Sequence, residues 1–314
     1  MPTPIWKDYE VSFGAIDEAD YTIETGGDTI FSGHAVRRPD QAQLTVRIND
    51  ICADFLAHAL PGITTQAAAN DPCCATFAVK DGGGTTVDSV EFIADWSYVP
   101  GHTVTNLADP VNGRVSANQA LVASVASSSA VTVSLRYASG STGSVTLNNA
   151  GGPVQVVSIP LANIANLAAV TVAGKTYEVV PACARYALLY VNAFGGWDTL
   201  LMEGRSSEVD NYGRYTMRER YDNSVRSARG TAEYVNEVTR HWTLRTGWLR
   251  DAQAFRMHHV LGSVHVWLYD IEEGALLPVI VTDTNCEYKT YRGQGGKLVS
   301  YTIDVELAQS MVRR

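Results

Sequence analysis

The sequence predicts a mainly β protein: two or three β-sandwich or barrel-like modules, with a short helix packed on the first and last sheets. Three observations carry that reading. Short runs with an apolar residue at every second position recur along most of the chain, which is the period of a half-buried strand. Glycine-rich turns such as Thr25-Gly26-Gly27-Asp28 and Asp81-Gly82-Gly83-Gly84 separate them. Only two windows, one after Asn49 and one after Asp251, combine a capping residue with helical spacing.

The first module is placed at residues 1–100. Tyr9–Phe13, Tyr21–Glu24, Thr29–Val36 and Leu44–Ile48 read as a meander, and a helix follows through Ile51, Phe55 and Leu60. The polar, Ala-rich segment Thr64–Pro72 leads to a hairpin, Ala75–Lys80 and Val87–Ala94. Residues 101–180 are poor in charge and rich in Ser, Thr, Val and Gly. Strictly alternating Val131–Tyr137, then Ser144–Leu147 and Val154–Ile159, predict a small inserted sandwich.

The last module is placed at 181–314, and its opening stretch is the most apolar in the chain. Ala187–Val191 and Trp197–Met202 flank Asn192-Ala193-Phe194-Gly195-Gly196, a reversal whose paired glycines permit positive φ. Arms apolar at nearly every position predict a hairpin covered on both faces. The Arg-rich segment 204–229 has little apolar periodicity and reads as a long loop or arm. Strands at Ala232–Leu244, Val264–Tyr269, Leu277–Thr282 and Cys286–Tyr291 follow, with a helix over Asp251–Leu261. The chain closes on a clean alternation from Leu298 to Leu307.

The charge of −9 is unevenly spread. Residues 1–100 carry 5 basic and 15 acidic side chains, whereas residues 201–314 carry 15 of each. An acidic first third argues against general nucleic-acid binding. It suits a molecule whose acidic part meets a neighbour's basic part, and Arg205, Arg214, Arg218, Arg220, Arg226 and Arg229 are the candidate interface residues. No signal-peptide pattern opens the sequence and no apolar run approaches the roughly 20 residues of a membrane span, so the expectation is a cytoplasmic product with no membrane partner.

Motifs for chemistry are missing. There is no Gly-x-Ser-x-Gly, no His-Glu-x-x-His and no phosphate loop. Cys52, Cys73, Cys74, Cys183 and Cys286 are odd in number and irregular in spacing, and read as buried thiols, with a redox or metal role at Cys73 or Cys74 as the alternative. Neighbouring His258 and His259 point about 100° apart on a helix, one inward and one outward. Asp95, Asp198, Asp270 and Asp283 are recommended as glycosidase carboxylates only by their abundance. The tryptophans Trp96, Trp197, Trp242, Trp248 and Trp267 read mostly as core, with a sugar platform as the alternative. No catalytic residue, cofactor or metal set is expected.

The stretch Cys183-Ala184-Arg185-Tyr186-Ala187-Leu188-Leu189-Tyr190-Val191-Asn192-Ala193-Phe194-Gly195-Gly196-Trp197-Asp198 resembles structural proteins of the tail, neck or baseplate type encoded by tailed phages and prophages of Bacteroidota. Tyr21–Leu56, Asp109–Val115 and the end module from Thr246 fit the same resemblance, and residues 116–176 do not. The resemblance implies a virion subunit, assembled in the host cytoplasm, that repeats around a ring or tube. Its partners would be copies of itself and other virion proteins, with DNA no more than passing through a lumen. The alternatives are a phage adhesin or glycan-binding module using the middle sandwich, and, third, an enzyme.

Overall fold

The computed structural model describes residues 3–5, 9–94, 107–149, 151–181, 184–218, 231–283, 298–309 and 311–313. The protein is mainly β, with several sheets in sandwich-like arrangement and little helix. It divides into two compact units: residues 1–181 together with 191–199, and residues 182–190 together with 200–314.

In the first unit the chain runs β1 (Thr3–Pro4), β2 (Glu10–Gly14), β3 (Glu18–Thr25), β4 (Asp28–Val36), β5 (Leu44–Arg47), α1 (Asn49–Ala53), β6 (Ala67–Asn70), β7 (Cys74–Asp81) and β8 (Thr86–Ile93). The predicted meander is only partly formed. β3 and β4 make their hairpin, but β2 closes onto β5 as a separate ribbon, and the main sheet has the order β1-β8-β7-β3-β4. The predicted helix is cut short at Ala53, and residues 54–66 carry no regular element. Cys52 of α1 and Ile48 before it pack into one core with Val11, Ile23, Phe77, Val79 and Phe92, so the helix does cover its sheet.

The middle segment contributes β9 (Arg114–Ser116), β10 (Ala120–Ala126), β11 (Val131–Tyr137), β12 (Thr142–Leu147), β13 (Val154–Pro160), β14 (Leu167–Val172) and β15 (Lys175–Val180). They form two sheets, β10-β13-β6 and β12-β11-β14-β15-β9. Leu121, Ala123, Val133, Leu135, Val157, Ile159, Val170 and Tyr177 fill a shared core. β11 shows why: Val131, Val133 and Leu135 are buried while Thr132, Ser134 and Arg136 are exposed. β6, from the first third of the chain, pairs with β13, with Ala67–Asn70 against Ser158–Gln155.

The second unit takes in β16 (Tyr186–Val191), the end of β17 (Trp197–Leu201), β18 (Ser207–Arg218), β19 (Thr231–Arg245), α2 (Asp251–Phe255), α3 (Met257–Leu261), β20 (Val266–Asp270), β21 (Ala275–Val281), β22 (Thr302–Leu307) and β23 (Met311–Arg313). One sheet orders these as β17-β16-β20-β21-β22-β19-β18, with β23 beside β19. The closing alternation is realised in β22, where Ile303 and Val305 are buried and Thr302 is exposed. α2 and α3 together fill the predicted helical window and bury Ala254, Met257, His259 and Val260.

Candidate functional site

Every residue from Tyr186 to Met202 is buried, as arms apolar at nearly every position predict. At the reversal the Asn192 side chain takes over the turn. Its Oδ1 accepts from the Phe194 and Gly196 N–H groups at 2.9 and 3.1 Å, and its Nδ2 donates to the Leu107 carbonyl at 2.6 Å and to Asp198 Oδ2 at 2.5 Å. Gly195 sits at φ 79°, the left-handed region. Gly196 is needed for another reason: a Cβ there would meet the Leu107 carbonyl oxygen at 2.6 Å.

Asp198 has no solvent exposure. Its Oδ2 also accepts from the Asp109 N–H at 2.9 Å, and Tyr177 donates its hydroxyl to Oδ1 at 3.3 Å. Burial outweighs these hydrogen bonds and pushes its carboxyl up to about 7. Ser124 Oγ accepts from the Trp197 N–H, and Thr199 donates to the Val122 carbonyl. Thus the motif that carried the resemblance folds as a dry polar knot that fixes a hairpin tip, out of reach of substrate. Asp270 is held by Arg185 and Asp283 accepts from the Asp304 N–H; Asp95 lies outside the described residues. Trp197 and Trp242 are core, Trp267 is half-buried, Trp248 is exposed, and Trp96 lies outside the described residues.

The surface that stands out is the ribbon β18–β19. The segment read as a loop is a strand over Ser207–Arg218, in twelve antiparallel pairs with β19. The loop reading failed because both faces of the strand meet solvent there, which removes the apolar alternation that marks a half-buried strand. Val209, Tyr212 and Tyr215 are all about half exposed, and β18 is the last strand of its sheet. Among the described residues its outer edge pairs with no strand, which is the position where a further strand could be added. Asp210 and Arg240, opposite each other, pin the register: Arg240 Nε lies 2.7 Å from Asp210 Oδ1, and the guanidinium holds that carboxyl below its usual value.

Of the candidate arginines, Arg214 is exposed on β18 and Arg205 is exposed in a groove of about 340 Å³ with Arg185, Tyr186 and Glu208. Arg218 closes β18 in the backbone trace. Arg220, Arg226 and Arg229 lie outside the described residues. In the first unit Glu10, Asp17, Glu18, Asp20, Asp28, Asp40, Asp50 and Asp54 are exposed.

A second cluster escaped the sequence reading. His58, Asp71 and Cys73 bring a ring nitrogen, a carboxylate oxygen and a thiol to within 4.8 Å of one another. Only Cys73 was singled out by residue type. His259 is buried as expected, but His258 is half-buried rather than exposed, and its ring lies 4.1 Å from that of His259 instead of pointing away from it. Comparison with known protein families, curated proteins and solved structures returns no match.

Proposed function

We propose that this chain is a structural subunit of a phage virion, a tail, neck or baseplate component, which assembles with copies of itself into a ring or tube. One observation carries the proposal: an edge strand, Ser207–Arg218, exposed on both faces over residues 207–216, displays Val209, Tyr212 and Tyr215 along an edge that pairs with no other strand among the described residues. An edge of this length left bare invites uncontrolled pairing unless a specific partner covers it. The resemblance around Asn192 and Asp198 supplies the kind of particle. The polarised charge supplies a complement, because an acidic flank and an Arg-bearing ribbon on one chain can meet heterologously and close a ring.

Glycan binding by the middle sandwich draws less support. The exposed face of β11 offers Thr132, Ser134 and Arg136, without an aromatic platform. The deciding experiment is negative-stain microscopy of the purified chain together with its mass in solution across concentration. Rings or tubes are expected; a monomer at every concentration would overturn the proposal.

A further inference from the structure

We infer that His58, Asp71 and Cys73 form a structural site for a divalent transition-metal ion, zinc being the best match, at the junction between β6 and β7. This inference is independent of the virion reading.

The donor set suits zinc. An imidazole nitrogen, a carboxylate oxygen and a thiol sulfur are the three ligand types that zinc takes, and the combination disfavours calcium and magnesium, which want oxygen alone. The side chains of His58 and Asp71 are 5% and 0% exposed, and Cys73 is fully buried. Such a site is closed to substrates, so the ion would be structural, with a water molecule completing the three protein donors to a tetrahedron.

The spacing suits it too. His58 Nδ1 and Asp71 Oδ2 lie 3.5 Å apart. A buried imidazole and carboxylate held together by a hydrogen bond alone would close to about 2.7–2.9 Å. Two ligands of one tetrahedral ion, with bonds of about 2.0–2.3 Å, stand roughly 3.3–3.8 Å apart. The remaining spacing, within 4.8 Å, closes by about 1 Å of side-chain movement.

The donors are also aimed and held. Asp71 Oδ1 accepts from the backbone N–H groups of Ala59 and Cys73, which leaves Oδ2 turned toward His58. The Asp71 N–H donates to the Val154 carbonyl, and the Cys73 carbonyl accepts from the Ala94 N–H, so neither backbone is loose. Ile93, Leu107, Val154 and Cys74 pack around Cys73, and the Trp197 ring stands edge-on to His58. A packed shell of this kind holds the donors in place. Among the described residues the carboxylate has no lysine or arginine partner and only His58 beside it, which leaves Oδ2 available to an ion that His58 also ligates. On binding, the thiol gives its proton to solvent and ligates as thiolate.

The site lies where β6, in one sheet, hands over to β7, in another, and His58 comes from the irregular segment after α1. The ion would therefore tie the segment after α1 to the link between β6 and β7, two pieces of the first unit that no strand ladder joins.

The test uses the full chain. Metal content is measured after expression in zinc-supplemented medium, and the chain stripped with chelator is titrated with zinc and, separately, with cobalt as a spectroscopic probe of thiolate ligation. Expected are near-stoichiometric zinc, a thiolate-to-cobalt charge-transfer band, and a melting midpoint raised by about 5–10 °C when zinc stands a hundredfold above its dissociation constant. Cys73→Ser and His58→Gln should abolish the band and the shift, while Cys74→Ser keeps both. Absence of the band and the shift in the wild-type chain would overturn the inference even if the variants failed to fold. So would a band that persists in Cys73→Ser.

Discussion

Asn192 and Asp198 face each other across the buried reversal with 2.5 Å between Nδ2 and Oδ2, and the polar knot they anchor is sensitive to pH. Burial raises the Asp198 carboxyl to about 7 from 3.8. The native state therefore keeps a proton that the unfolded chain has released. The stability contributed by this group is full below about pH 4, falls as pH rises to about 7, and is constant beyond. At about 1.4 kcal/mol per pH unit the loss approaches about 4 kcal/mol. Asn at 198 mimics the protonated acid, since its amide can donate to the Tyr177 hydroxyl while its oxygen keeps the Asp109 and Asn192 donors. Urea unfolding from about pH 4 to about pH 8 should therefore show Asp198→Asn gaining on the wild type as pH rises, whereas Asp198→Ala starts about 2–4 kcal/mol below the wild type near pH 4 and narrows that gap as pH rises, since it too lacks the titration. Parallel pH profiles for wild type and Asp198→Asn would refute this.

Gly196→Ala drives a methyl into the Leu107 carbonyl, which belongs to backbone and cannot swing aside. A loss of about 1–3 kcal/mol is expected. Gly195→Ala should lose about 1–2 kcal/mol through its positive φ. Thermal midpoints of the two variants measure both; a Gly196→Ala chain as stable as wild type contradicts the contact.

Val209→Lys with Tyr212→Lys places charge on an exposed strand edge. Each change should alter stability by less than about 0.5 kcal/mol, yet the pair should abolish self-assembly. Sedimentation of the variant tests this, and rings that survive would remove β18 from the interface. If the acidic flank and the ribbon arginines pair, the wild-type assembly should also weaken as salt rises.

Removing residues 116–176 should leave an unfolded remainder. β13 supplies the ladder for β6, and Tyr177 loses both its core neighbours and the strand beside it. A soluble, cooperatively melting product would show the middle segment to be dispensable.

Much of this fold is legible in the residues. The alternation in β11 and β22, the glycine turns and the covered hairpin at Asn192 each follow from a local pattern. β6 was hidden because Ala-Ala-Ala-Asn carries no strand preference; its place is set by main-chain pairing to β13. β10 was hidden because Ala-Leu-Val-Ala-Ser-Val-Ala, buried on both faces, shows no period. The metal-ligating cluster was hidden because His58 and Asp71 are 13 residues apart and meet only through the path of the chain after α1. Asp198 was visible as a residue, but its role was not, since only the structure surrounds it with Tyr177 and the Asp109 N–H.

The chain enters the second unit at residue 182, returns to the first for Val191–Thr199, and leaves again at Leu200. A fragment ending at Pro181 would therefore lack the wedge that Ser124, Asp109 and Tyr177 are built to grip. Neither half can be inherited as a portable cassette. Recombination that joins new partners at this seam must carry the nine-residue insert with the leading half, or break both.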